Sequence, residues 1–206
     1  DATTVTALNP GHPAGTVDVS VTTVGGSDTL VDAFTYVAAP TLASINPTDG
    51  PVAGGTTVTL TGTGLTGTTD VTFDGVSATG VVVVNDSTVT ATTPAHGAGV
   101  VDVSVTTPGG SSTLANAFTY VAAPTLTTVF PSTGPAIGGT TVILSGTGLT
   151  GTTTVTFDGV PATGLVVVSD TEVTVDTPAH DAGLVDVELT TRGGTATLTG
   201  GFTYLP

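Results

Sequence analysis

Valine and threonine alternate along most of this chain. In TTVTLTGTGL (56–65), Val58 and Leu60 fall on one side of an extended backbone and Thr57, Thr59 and Thr61 on the other. Successive side chains of a strand point to opposite faces, so this period of two predicts a half-buried strand. VVDVSVTT (100–107) repeats the pattern, with Val101, Val103 and Val105 inward and Asp102 and Ser104 outward. VTF (71–73) puts Val71 and Phe73 inside, VTAT (89–92) alternates, and AFTYV (117–121) sets Phe118 and Tyr120 on one face with Thr119 on the other. The unbroken VVVV (81–84) predicts a strand buried on both faces. Gly and Pro interrupt every window long enough for a helix. The expectation is an all-β chain with about seven strands per unit, arranged as a sandwich.

The breaks between these runs have their own chemistry. Asp74-Gly75 and Asp158-Gly159 predict tight hairpin turns at positive φ. Pro108-Gly109-Gly110 joins the last two strands of a unit, and Gly50-Pro51 and Gly134-Pro135 predict turns in which Pro presets φ and Gly permits an unusual backbone.

The pattern also repeats at long range. FTYVAAP stands at 34–40 and again at 118–124, and FTYLP closes the chain at 202–206. Tyr36, Tyr120 and Tyr204 share a constant spacing, as do His12, His96 and His180, Asp18, Asp102 and Asp186, and Pro47 with Pro131. No insertion or deletion breaks the register. Two complete units are expected at 39–122 and 123–206, and residues 1–38 form a partial one that begins opposite Asn85 and supplies only the last three strands. Such a piece would expose apolar faces and unpaired strand edges. Three explanations stand side by side: a cut from a longer array, completion by strand addition from a neighbouring molecule, or poor order. A chain that starts in mid-pattern at Asp1 reads as part of a longer precursor.

Composition narrows the function. The chain has a single cationic side chain, Arg192, against 16 Asp and Glu, for a formal net charge of -15. Nucleic-acid binding needs Lys and Arg to neutralise phosphates, and anionic lipid headgroups make the same demand. Neither partner is expected. Charged residues make up only 8% of the chain, against about 25% ordinarily. A hydrophobic fraction of 38% and a mean hydropathy of +0.44 argue against disorder. Without Cys there is no disulfide framework. No stretch of about 18 apolar residues predicts a membrane-spanning helix, and no signal peptide is visible.

Each unit resembles the IPT/TIG domain, an immunoglobulin-like fold shared by plexins, certain transcription factors and many bacterial surface proteins. PTDGPVAGGTTVTLTGTGL (47–65) and PSTGPAIGGTTVILSGTGL (131–149) carry the opening signature, and TTPAHGAGVVDVSVTTPGG (92–110) with FTYV (118–121) resembles the closing half. The resemblance implies tandem immunoglobulin-like sandwiches. The Lys-free version looks like the bacterial extracellular branch rather than the DNA-binding one, which uses basic loops.

Candidate chemistry is sparse. His12, His96 and His180 recur with Asp and Thr nearby, yet no nucleophile shares their register, so each reads as the tip of a loop packed on its own unit. Asp18, Asp102 and Asp186 read as a solvated face, and Asp74, Asp158, Asp86 and Asp170 as turn residues. Calcium sites gather several oxygen ligands; the densest acidic stretch is Asp170-Thr171-Glu172 with Asp176 and Asp181, in the last unit only. Asn85-Asp86-Ser87 fits a glycosylation sequon. Glu172 and Glu188 have no counterparts in the other units, which argues against a paired-carboxylate glycosidase. Gly54-Gly55 and Gly138-Gly139 precede no helix that could cradle a phosphate. No catalytic, cofactor or metal residue is assigned, and the chain is expected not to be an enzyme.

The leading expectation is a structural or adhesive module in a long repetitive bacterial surface or extracellular protein, acting as a stalk or filament. Its partners would be neighbouring repeats or other copies of itself, with surface glycans a further option. Alternatives are a filament subunit assembled by strand exchange, a glycan-binding accessory module of a secreted enzyme, and a virion decoration domain. The short Pro-containing linker Val121-Ala122-Ala123-Pro124 limits hinge freedom.

Overall fold

The computed structural model describes residues 3–206, all of them in strands, turns and loops with no helix. Residues 1 and 2 of the partial repeat lie outside the described residues. An N-terminal hairpin pairs β1 (Gly15–Thr23) with β2 (Gly26–Tyr36). The first complete unit follows: β3 (Thr41–Asn46), β4 (Asp49–Pro51), β5 (Thr57–Thr63), β6 (Asp70–Phe73), β7 (Val76–Ser77), β8 (Thr79–Asn85), β9 (Thr88–Thr92), β10 (Gly99–Thr107) and β11 (Gly110–Val121). The second repeats it as β12 (Thr125–Phe130), β13 (Thr133–Pro135), β14 (Thr141–Thr147), β15 (Thr154–Phe157), β16 (Val160–Pro161), β17 (Thr163–Ser169), β18 (Glu172–Asp176), β19 (Gly183–Thr191) and β20 (Gly194–Leu205).

Each unit is a two-sheet sandwich. One sheet has four strands in the order β3-β5-β9-β8, and the other has five in the order β4-β11-β10-β6-β7; the second unit repeats both orders. Nine strands replace the expected seven because β4 and β7 are short additions. β4 runs parallel to β11, Gly50 opposite Tyr120. Gly50-Pro51 therefore sits in a strand and not in a free turn, and its glycine is needed for a close approach: a Cβ there would lie 2.3 Å from the Thr56 hydroxyl and 3.1 Å from the Phe118 ring.

Strand parity places the core as expected. Val58, Leu60, Val71, Phe73, Val101, Val103, Val105, Phe118 and Tyr120 are buried together, and Val142, Leu144, Phe157, Val187, Phe202 and Tyr204 repeat the arrangement. Phe73 meets Phe118 edge-on at 5.3 Å, and Phe157 meets Phe202 at 5.4 Å, the geometry that aromatic quadrupoles favour. Asp74 and Gly75 take φ of 47° and 82°, and Asp158 and Gly159 take 48° and 81°, as hairpin turns of this kind require.

The VVVV run is different from its expectation. β8 is the outer strand of the four-stranded sheet, so Val81 and Val83 reach the core while Val82 and Val84 face solvent. An edge strand has a neighbour on one side only, and the facing sheet covers one of its faces. The partial repeat also has two strands rather than three. Residues 4–8 correspond to β9, and no strand forms there. In a complete unit β9 is held by β5 and β8, and both belong to the half that residues 1–38 lack.

Candidate functional site

The recurring histidine lies in a loop of each unit. His96 donates its backbone N–H to the Val52 carbonyl at 2.9 Å, which ties the PAH loop to the glycine-rich loop of the opening signature. Gly54, at φ 73°, backs onto this loop; a Cβ there would lie 2.5 Å from the Pro94 carbonyl. The Tyr120 hydroxyl donates to the same Pro94 carbonyl at 2.9 Å, and the His96 ring stacks on Tyr120 at 5.0 Å. His96 Nδ1 lies 3.0 Å from the Gly97 carbonyl, and Nε2 lies 3.8 Å from Asp74 Oδ2. His180 repeats this with Tyr204, Asp158 and the Asp181 carbonyl. His12 stacks on Tyr36 at 5.1 Å, and Tyr36 donates to the Pro10 carbonyl. The cluster is a clamp that fastens one loop to the last strand. Burial raises the Tyr120 and Tyr204 hydroxyls above the usual phenol range, against a smaller opposing effect of the Thr93 and Thr177 hydroxyls.

Asp18, Asp102 and Asp186 do more than line a solvated face. The register of β10 with β11 slips between Val101 and Val103, leaving Asp102 opposite a bulge. Asp102 Oδ1 accepts the Asn116 N–H at 2.7 Å, and Asn116 sits at φ 51°. Asp18 holds Asp32 at 2.8 Å, and Asp186 holds Gly200 at 2.8 Å, both also at positive φ. Each carboxylate pins the bulge of its hairpin. The sequence held a signal for it: an Asp within an apolar strand and, fourteen residues on, an Asn, Asp or Gly that tolerates the left-handed region.

The turn aspartates are cradled locally. Asp86 accepts the Thr66 hydroxyl at 2.9 Å and the Gly64 N–H at 3.2 Å. The Thr66 hydroxyl, followed by the Gly64 and Thr66 N–H groups, holds the Asp86 carboxyl below its usual range, and Thr150 and Gly148 do the same for Asp170. The acidic stretch of the second unit disperses: Asp170 faces this cradle, while Asp176 accepts the Thr141 hydroxyl. Among the described residues, no three His, Cys, Asp or Glu side chains converge as metal ligands. Asn85 Oδ1 accepts the N–H and hydroxyl of Ser87, closing a local turn over the sequon.

The junctions between units were not legible beforehand. The turn between β19 and β20 packs against the linker that precedes its unit, so tightly that a Cβ on Gly193 would lie 1.9 Å from the Ala122 carbonyl oxygen. Gly109 meets the Ala38 carbonyl oxygen in the same way, at 2.0 Å. Beside Gly193, Arg192 forms an ion pair with Asp49 of the first unit. The corresponding residue of the earlier junction is Pro108, so this pair is peculiar to the second.

One sheet face sets the units apart. On the outer face of the first unit's four-stranded sheet, Asn46, Thr59, Thr90 and Val82 form a row across the strands. The matching row of the second unit is Phe130, Ile143, Thr174 and Val166. Phe130 is 72% exposed.

The model of the IPT/TIG domain matches residues 40–120 and 124–204. The chain belongs to the IPT/TIG family, with two such domains in tandem. A human relative, fibrocystin-L, is 36% identical over 147 residues, covering 69% of this chain and 3% of its own length. The plexin A4 extracellular region superimposes with a TM-score of 0.52 at 21% identity, covering 81% of this chain and 18% of that one, and shows the fold alone. A surface glycan-binding protein from Prevotella bryantii matches at 15% identity and a TM-score of 0.34, over 77% of this chain and 41% of that one. This chain thus spans a small part of the relatives it matches.

Proposed function

We propose that these tandem IPT/TIG domains form a stalk segment of a long repetitive surface or extracellular protein and perform no chemistry themselves. The observation that carries this reading is the junction: each unit's Gly-Gly turn is seated on the linker before it, and Arg192 reaches back to Asp49. A unit seated in this way resists swinging about its linker, so successive units hold a set direction, which is what a spacer requires. Neighbouring repeats of the same protein are its natural contacts. Small-angle scattering of the chain tests the reading. A compact body of this length would have a radius of gyration of about 17 Å; a stalk gives a clearly larger value, and a value near the compact one sinks the idea.

A second reading, a glycan-binding surface, is favoured by Phe130. Its exposed ring, with Ile143 and Val166 in the same row and Glu172 and Asp176 on the adjoining β18, offers a platform for a sugar ring and acceptors for its hydroxyls. Glycan-array binding that Phe130→Ala abolishes supports it; an array with no bound glycan removes it.

A further inference from the structure

His96 and Asp74 stand on different loops of the first unit, and both are held in place by the fold. Asp74 opens the turn between β6 and β7 at φ 47°, its N–H bonded to the Asp102 carbonyl at 2.9 Å. His96 is fixed by its N–H on the Val52 carbonyl and by its ring on Tyr120. The setting of the ring also places its hydrogen. Nδ1 lies 3.0 Å from the Gly97 carbonyl oxygen, which can only accept, so in the neutral ring Nδ1 carries the hydrogen and Nε2 presents a bare lone pair. That lone pair faces Asp74 Oδ2 at 3.8 Å. Two acceptors therefore confront each other with no donor between them. The second unit builds the same confrontation. Asp158 sits at φ 48°, His180 Nδ1 lies 3.0 Å from the Asp181 carbonyl oxygen, and Nε2 lies 3.9 Å from Asp158 Oδ2. Both carboxylates are largely exposed and both rings partly so, which leaves each gap open to ions from solvent.

We infer that each gap is a binding site for a divalent transition-metal ion of the zinc type, held by His96 Nε2 and Asp74 in the first unit and by His180 Nε2 and Asp158 in the second. An imidazole nitrogen beside one carboxylate oxygen suits such ions, whereas Ca²⁺ and Mg²⁺ ask for oxygen ligands throughout. The span fits as well. Bonds of about 2.0 Å to nitrogen and 2.1 Å to oxygen reach about 4.1 Å end to end and about 3.4 Å at a tetrahedral angle. The observed 3.8 Å and 3.9 Å lie between these limits, within reach of a small side-chain rotation. The bond from Nδ1 to a backbone carbonyl is the outer contact that ligating histidines make, and it fixes the tautomer and the ring plane. No third His, Cys, Asp or Glu joins either pair among the described residues. Water fills the remaining positions, so each site is an open one, unlike the closed four-ligand sites of structural zinc. A bound ion ties the PAH loop to the turn between β6 and β7. Neither the stalk reading nor the glycan reading uses these residues, so the inference stands apart from both.

The test titrates zinc chloride into the full chain at constant pH and follows the histidine ring resonances by NMR. The His96 and His180 rings should shift and saturate, with one ion taken up per complete unit. Asp74→Asn removes the carboxylate charge from an exposed side chain and keeps a residue that tolerates the left-handed backbone. It should weaken the zinc response of His96 by about tenfold or more and leave that of His180 unchanged, and Asp158→Asn should do the reverse. A His96 response that is the same in the Asp74→Asn variant and the parent means that imidazole alone takes the ion, and overturns the site. Rings that stay unshifted in excess zinc overturn it too. Equal shifts with calcium chloride at the same concentration would show an effect of ionic charge alone and overturn the assignment to a transition-metal ion.

Discussion

Replacing Gly193 by Ala isolates the junction from the fold of the unit. Gly193 does not lie at positive φ, so alanine brings no backbone strain of its own. What it brings is a Cβ 1.9 Å from the Ala122 carbonyl oxygen. An ordinary C···O contact is about 3.3 Å, so linker and turn must separate by about 1.4 Å. Two outcomes compete. Keeping the junction closed costs about 1–3 kcal/mol, as overpacking does. Opening it sacrifices the Arg192–Asp49 pair, in which the arginine is mostly exposed; an exposed pair contributes at most about 1 kcal/mol. Opening is the cheaper response. Spread across a sandwich about 10 Å thick, the displacement tilts the second unit by about 8°. Residual dipolar couplings measure that angle directly, and the melting temperature of the second unit should move by less than about 4 °C, since a full kcal/mol would shift a domain of this size by roughly 4–8 °C. An unchanged angle with a larger fall in melting temperature would refute the reasoning, because the clash would then be absorbed inside the unit.

Three further outcomes follow from the same structure. Phe73→Ala should destabilise the first unit by about 3–5 kcal/mol in chemical denaturation, whereas Phe34→Ala, in the uncovered hairpin, should leave both complete units unchanged. The Asp86 and Asp170 carboxyls are held below their usual range, so their contribution is present above the unfolded value, about 3.9, and is lost as pH falls through the lower folded values. The double variant Asp86→Asn with Asp170→Asn should therefore show a shallower acid-side loss of melting temperature than the parent. Asp186→Ala should free the Gly200 amide, seen as faster hydrogen exchange there, at a cost of about 1 kcal/mol.

Much of the fold was legible because its signals are local. Alternation identified Val58, Leu60, Val71 and Phe73 as inward, and Asp-Gly pairs marked their turns. The fate of Val81 to Val84 was not legible, since a run of valines looks the same in a central strand as in an edge strand; which neighbour is absent is a property of the whole sheet. Gly50 and Gly193 were ambiguous for a related reason. A glycine chosen for backbone freedom and one chosen because another chain segment passes within 2–3 Å leave the same letter in the sequence. The ion pair of Arg192 with Asp49 spans two units, so no spacing within one repeat announces it. The histidine loop is a packed tip, and its clamp on Tyr120 depends on a tyrosine far along the chain.

The two complete units offer an internal comparison that points to where their roles differ. Inward positions keep their character: Val58 and Val142, Leu60 and Leu144, Val89 and Val173, Phe73 and Phe157. Close-approach glycines are kept too, Gly50 with Gly134, Gly54 with Gly138 and Gly62 with Gly146, because a Cβ at each would meet neighbouring atoms at 2.6 Å or less. The outer face of the four-stranded sheet carries no such constraint, and there Asn46, Thr59, Thr88 and Thr92 give way to Phe130, Ile143, Glu172 and Asp176. These four changes lie on three adjacent strands of one face and turn a hydroxyl-covered surface into an apolar row bordered by two carboxylates. Packing within the unit does not call for them, since the same sandwich closes without them in the first unit. A surface exposing Phe130 carries a solubility penalty that the first unit avoids, and it is on this difference between the units that the glycan-binding reading rests.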